Sequence, residues 1–142
     1  MNLLSQSGVN LQGCYWAVIP AYNEAATIRD VVVRATRQIE HVIVVDDGST
    51  DGTAEALAGL SVILLRNPTN RGKAASLWRG FQQALAAGAS GVVTLDGDGQ
   101  HAPEDIPRLL TEAVCHPSHV IIGAPPRSAS DSVLALCGEP RG

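Results

Sequence analysis

Aromatic residues make up only 4% of this 142-residue chain. A surface that stacks nucleobases on successive rings is therefore not expected. Basic runs are also missing: ten Lys and Arg are scattered among 14 Asp and Glu, for a net charge of −4. That balance argues against a nucleic-acid partner. The three cysteines, Cys14, Cys115 and Cys137, form no CxxC pair, so neither a zinc site nor a disulfide framework is indicated and a reducing compartment is expected. No apolar run approaches the roughly 18–20 residues of a membrane helix. The opening MNLLSQSGVNLQG has no basic cluster and no continuous apolar segment, unlike a secretory signal. These absences predict a cytoplasmic protein. GxxxxGK[ST], GxGxxG and GxSxG are absent too, which leaves P-loop, dinucleotide-binding and nucleophile-elbow readings without support.

What is present is apolar and alternating. Hydrophobic residues reach 45%, enough for a packed core in a chain of single-domain length. Short aliphatic runs at Tyr15–Pro20, His41–Val45, Ser61–Leu65, Gly91–Leu95 and His119–Gly123 read as buried strands. Between them lie helical patterns. Ile28, Val31, Val32, Ala35 and Ile39 recur at helical spacing behind Thr27 and Asp30, a capping-box-like pair. A second helix, about Lys73 to Ala87, carries Leu77, Trp78, Phe81 and Leu85 on one face. Pro103 suits the first turn of a third helix ending near Cys115. Strand and helix alternate throughout, which predicts an α/β fold of three layers, α/β/α, with a mostly parallel sheet of about five strands. Residues 1–13 read as a loose leader, 14–123 as the domain and 124–142 as an irregular tail.

In such sheets ligands bind beyond the carboxyl ends of the strands, where strand order reverses. Three polar clusters follow strands here: PAYNE, DDGSTDG and DGDGQH. In the last, Asp96 and Asp98 flank Gly97, so an extended backbone points both carboxylates the same way. Two hard oxygen donors suit Mg²⁺ or Mn²⁺, and Gly97 allows close approach of a ligand; a solvated Asp-Gly turn is the alternative. Of the adjacent Asp46 and Asp47, one is expected to fix the turn and the other to accept from a nucleobase N–H. Pro20 stiffens the PAYNE loop, Tyr22 can lie against a base or ribose, and Glu24 can accept from a ribose hydroxyl or a base. Lys73 is a candidate partner for phosphate or for a carboxylate of the site. His101, with no Cys or His companion, reads as structural.

Four segments, VIPAYNEAATI, VIVVDDGSTDGT, NRGKAASLWRG and LDGDGQHAPEDIPRLL, occur in register and together resemble the family 2 glycosyltransferases of the GT-A, nucleotide-diphospho-sugar transferase fold. The likeness is to the polyprenyl- or dolichyl-phosphate sugar synthases and spans about residues 16–123. The resemblance implies a nucleotide-diphosphate sugar donor. It implies that Pro20, Tyr22, Glu24, Val45 and Asp47 hold the nucleoside, with Lys73 on the donor. It further implies that Asp96, Gly97 and Asp98 meet the diphosphate through Mg²⁺ or Mn²⁺, and that Gln100 touches the donor sugar or the acceptor. The reaction implied is inverting transfer, with a lipid phosphate at a membrane surface as a candidate acceptor.

The chain departs from the family pattern after its fifth strand. Where a short Gly-x-Arg stretch is common, it reads IIGAPPRSAS, which displaces Arg127, and acceptor-side elements are missing. The expected fold is therefore an incomplete GT-A domain. A nucleotide-sugar-binding module without turnover is the second reading. A sugar nucleotidyltransferase is the third, disfavoured because PAYNE is not a Gly-rich, Arg-containing loop.

Overall fold

The computed structural model describes residues 15–116, 120–123 and 133–137. Six strands form one sheet: β1 Tyr15–Ala21, β2 His41–Asp46, β3 Ile63–Arg66, β4 Gly91–Thr94, β5 Val120–Gly123 and β6 Val133–Cys137. Three α-helices connect them: α1 Ile28–Thr36, α2 Lys73–Ala86 and α3 Ile106–Cys115. Single 3₁₀ turns occupy Glu55–Leu57 and Pro103–Asp105. The strand order is β3-β2-β1-β4-β6-β5. The first four are parallel, β6 runs antiparallel to β4, and β5 runs antiparallel to β6. The α/β expectation holds, and five of the strands share one direction.

The expected irregular tail is corrected by β6. VLALC is a five-residue apolar run, too short for periodicity to separate strand from helix or loop. Its identity comes from pairing: Val92 faces Leu136 on one side of β6, and Val120 faces the same residue on the other.

β1 is the central strand, and all seven of its residues are buried. Tyr15, Ala17, Ile19 and Ala21 point to one face, where they pack with Ile28, Val31, Val32 and Ala35 of α1 and Ile106, Leu109 and Leu110 of α3. Trp16 and Val18 point to the other, with Ile43, Val45, Val92 and Ala84 of α2. The alternation of side chains along a strand thus sets three layers. Each fully buried Ile, Val or Leu contributes about 1.5–3 kcal/mol of transfer free energy.

The face that α2 turns to the sheet is not centred on its apolar stripe. Ser76, Gly80 and Ala84 face the sheet, Leu77 and Phe81 are partly buried beside them, and Trp78 and Leu85 are 61% and 54% exposed. The reason is steric: a Cβ on Gly80 would lie 2.3 Å from Val18 Cγ1. Small residues bring the helix backbone down onto β1 and β2, and the large residues are pushed to its flanks. The capping-box expectation for Thr27 also fails, because its side chain makes no cap hydrogen bond. Its hydroxyl is recruited elsewhere, by the carbonyl of Gly97 at 2.7 Å.

Chain direction now locates the reversal point. From β1 the chain steps outward to β2 and β3, then returns to the opposite side of β1 as β4. The register aligns Ala21 with Asp46, Asp46 with Arg66, and Val18 with Thr94. The three polar clusters therefore leave the same edge of the sheet around the β1–β4 crevice. Among the described residues no helix is long and apolar enough to cross a membrane.

Candidate functional site

The loops after β1 and β2 are laced together. Asn23 sits at φ 51°, a left-handed conformation that Asn tolerates better than most residues. Its N–H donates to Ser49 Oγ at 2.9 Å, and its Oδ1 accepts from the Thr50 N–H at 2.9 Å. The Glu24 N–H donates to Thr53 Oγ1 at 2.9 Å and the Ala25 N–H to Asp51 Oδ2 at 3.1 Å. Asp51 also accepts from the Thr53 hydroxyl and N–H. The Thr53 hydroxyl, followed by the backbone donors, holds the Asp51 carboxyl below the usual carboxylate range. The STDGT segment is thus a template against which the PAYNE loop is set.

Asp46 and Asp47 divide their work. Asp46 is fully buried; its Oδ1 accepts from the Ser49 N–H at 3.0 Å, and Arg66 Nε lies 3.3 Å from its Oδ2. It closes the turn. Asp47 Oδ1 accepts from Asn67 Nδ2 and the Arg71 N–H, both at 2.8 Å, and its Oδ2 accepts from the Gly72 N–H at 2.9 Å. Burial works to raise the Asp47 carboxyl, but the donors from Arg71, Asn67, Gly72 and Ser76 outweigh it and keep it below its ordinary range. Asp47 also lines the cleft, so this carboxylate is held in a fixed orientation where a ligand donor can reach it.

At the β4 end, Lys73 Nζ lies 2.7 Å from Asp96 Oδ1, and His101 Nδ1 lies 3.6 Å from Asp96 Oδ2. Asp98 Oδ1 accepts from the Gln100 N–H at 2.9 Å. A Cβ on Gly97 would meet Ile28 Cδ1 at 3.0 Å and Ala21 Cβ at 3.4 Å. The glycine lets the turn seat against β1 and α1, and the Thr27 hydroxyl fastens it there. Burial, reinforced by Asp98, Asp51 and Asp96, pushes the Glu24 carboxyl up. This corner of the site carries excess negative charge.

These groups surround one cleft of about 320 Å³, lined by Pro20, Ala21, Tyr22, Glu24, Asp47, Asn70, Gly72, Lys73, Ser76, Asp96, Gly97 and Asp98. A model of the family described as glycosyl transferase family 2 matches residues 16–135. The chain belongs to that family.

Family 2 relatives agree with the architecture. The UDP-N-acetylglucosamine–dolichyl-phosphate N-acetylglucosaminyltransferase of Methanococcus voltae is 30% identical over 77% of this chain and 51% of its own length. The polyprenol monophosphomannose synthase of Mycolicibacterium smegmatis is 37% identical over 75% of this chain and 43% of its own. The chain thus spans about half the length of these relatives. Among solved structures, glucosyl-3-phosphoglycerate synthase from Mycobacterium tuberculosis, in complex with Mn²⁺, UDP and glucosyl-3-phosphoglycerate, superposes with a TM-score of 0.59 at 27% identity, covering 75% of this chain and 40% of that one. The fold is GT-A, and the resemblance to the polyprenyl- and dolichyl-phosphate branch is met by relatives of those names.

Of the residues singled out in the sequence, Pro20, Tyr22, Glu24, Asp47, Lys73, Asp96, Gly97 and Asp98 line the cleft. Val45 is fully buried in the layer beneath α2, with its Cγ2 3.3 Å from a Cβ built on Gly80. Gln100 is exposed outside the lining. Ala21, Asn70, Gly72 and Ser76 were missed. Ala21 sits inside the PAYNE segment; Asn70 and Gly72 flank Arg71 just before Lys73, and Ser76 lies one turn beyond Lys73, so the NRGK segment carried the signal for the last three. Among the described residues no group of three or more His, Cys, Asp or Glu is arranged to hold a metal. The protein offers two carboxylates at the β4 turn. They fit a hard cation whose other positions are filled by ligand oxygens and water.

Proposed function

We propose that this chain binds a nucleotide-diphosphate sugar in the β1–β4 cleft and takes part in transferring the sugar, with inversion at the anomeric carbon. The observation that carries the reading is the convergence of Asp47, Lys73, Asp96 and Asp98 on one cleft from three separate strand ends. Asp47 holds the nucleobase through an N–H edge, its oriented carboxylate already ionised. Tyr22, 46% exposed at the rim, lies against the base or ribose, and Glu24 accepts from the ribose. Pro20 shapes the floor, and Val45 supports the nucleoside end from below. Asp96 and Asp98 are the residues that hold Mg²⁺ or Mn²⁺. When bound, that cation supplies Lewis-acid neutralisation of the diphosphate leaving group. Lys73, paired with Asp96 at 2.7 Å, would add a second positive charge beside the diphosphate, and Gln100 would meet the donor sugar or the acceptor.

The acceptor proposed is a lipid phosphate, as the names of the two relatives suggest, met at the cytoplasmic face of a membrane. Such an acceptor is already anionic at neutral pH and needs no general base. A second reading is donor binding without transfer, which needs only the residues that line the cleft.

Calorimetry with UDP and GDP, each with and without Mn²⁺, tests the first step. Cation-dependent binding is expected, and Asp96→Asn together with Asp98→Asn should weaken it by about a hundredfold or more, the cost of removing both cation ligands. Unchanged cation dependence in that variant sinks the reading. Radiolabelled-sugar transfer to polyprenyl phosphate then separates enzyme from binding module.

A further inference from the structure

Asn67, the side-chain donor to Asp47, is buried and lies outside the cleft lining. Asn67 is 6% exposed, and its N–H continues the sheet ladder to Asp46 O at 2.8 Å. Its Nδ2 donates inward, to Asp47 Oδ1 at 2.8 Å and to Ser76 Oγ at 3.1 Å. Its Oδ1 points the other way and accepts from Arg79 NH1 at 2.7 Å. The same guanidinium nitrogen donates to Arg66 O at 2.7 Å.

A carboxamide fits a slot in two orientations related by a half-turn, and the flanking charges select one. Turned over, the Asn67 oxygen would face the Asp47 carboxylate, and its NH₂ would face the Arg79 guanidinium. Both contacts would be repulsive, and the one to Asp47 is buried, where an unfavourable polar contact costs most. Arg79 therefore fixes the polarity of Asn67, and Asn67 presents a donor to Asp47. The held carboxylate in turn gathers the Arg71 and Gly72 N–H groups, which set the loop that leads into Lys73.

We infer that Asn67 and Arg79 are positioning residues for donor binding, acting through Asp47 without touching the donor. This rests on the reading of the cleft as a nucleotide-diphosphate site. Arg79 sits on α2, one turn beyond Ser76, on the outside of the fold, and controls the orientation of a carboxylate in the cleft.

The test is calorimetric titration of the whole chain with UDP plus Mn²⁺, beside thermal melts of each variant. Arg79→Met should weaken UDP binding about tenfold, in keeping with one part-buried charge-assisted hydrogen bond lost, with little change in melting temperature. Arg79→Lys, which keeps one donor for Asn67 Oδ1, should recover part of the affinity. Asn67→Asp gives a separate readout. It sets a second carboxylate against Asp47, with Arg79 opposing it and Asp46, already engaged by Arg66, behind. The pair should share one proton as pH falls. UDP affinity of Asn67→Asp, divided by that of the unmodified protein at each pH, should therefore rise from pH 8 to pH 6. If the unmodified protein binds neither UDP nor GDP with Mn²⁺, the donor-site reading fails. If it binds and Arg79→Met binds equally well, the inference is overturned while the donor site stands. If Arg79→Met loses affinity only in step with its melting temperature and the Asn67→Asp ratio is flat with pH, the two residues are merely structural and the inference is overturned.

Discussion

Asp96, Asp98 and Glu24 share a cleft corner whose negative charge is met by a single ammonium, that of Lys73. The strain of that arrangement is readable on Glu24, whose carboxyl is raised first by burial and then by its acidic neighbours. A carboxyl raised on folding stabilises the fold below its unfolded pKa, and that contribution is lost as pH rises through the folded value. Ionised Glu24 therefore costs stability at neutral pH. Glu24→Gln should raise the melting temperature at pH 7 in metal-free buffer, and the gain should fade as pH falls through the carboxylate range; a melting series from pH 3 to pH 7 measures it. An equal or lower melting temperature at pH 7 would remove the electrostatic account of this corner. Residue identity alone told much here. Asp96 and Asp98 both line the cleft, as their pairing suggested, and Asp46 beside Asp47 announced a divided role. Which of the latter two turned inward was not readable, because both sit at the same strand end. Only the Ser49 N–H and Arg66 on one, and the Asn67, Arg71 and Gly72 donors on the other, separate them.

Elements were placed by their periodicity, but their faces were not always readable from hydrophobicity. β1 to β4, α1 and α3 fall within a few residues of their expected spans, since long aliphatic runs and three-and-four spacing have few other solutions. α2 shows the limit. A hydrophobicity count selects Trp78 and Leu85 for burial, whereas the sheet selects Ser76, Gly80 and Ala84. Close approach of helix and sheet rewards the absence of side chains, which no apolarity scale registers. Gly80→Ala should accordingly destabilise the fold by about 1–3 kcal/mol through overpacking against Val18. Trp78→Ser, on the exposed flank, should change stability by less than about 0.5 kcal/mol. Urea unfolding of both variants checks the assignment, and a reversed order would mean that α2 is rotated about its axis. β6 shows the same limit from the other side, since a strand made by its partners leaves little trace in five residues of its own sequence.

Over the whole molecule, the site exists because strand order reverses beside β1. Loops after β1, β2 and β4 are distant in sequence and adjacent only at that edge. Ligand and fold should therefore be linked. UDP with Mn²⁺ at a hundred times its dissociation constant should stabilise the chain by about 2.7 kcal/mol, seen as a melting shift that disappears when Asp98 is replaced by Asn. A shift that survives the substitution would place the ligand elsewhere. The sequence by itself determined the layered α/β class, the polar clusters that come to line the cleft and the family to which they belong. Those follow from local patterns of side-chain type, which need no knowledge of distant neighbours. Tertiary structure alone decided that Val45 lies under the site and Gln100 outside its lining, that Thr27 fastens Gly97, and that Asn67 stands between Arg79 and Asp47. Each of those facts depends on a contact between residues that the chain brings together only by crossing the sheet, so no local pattern records it.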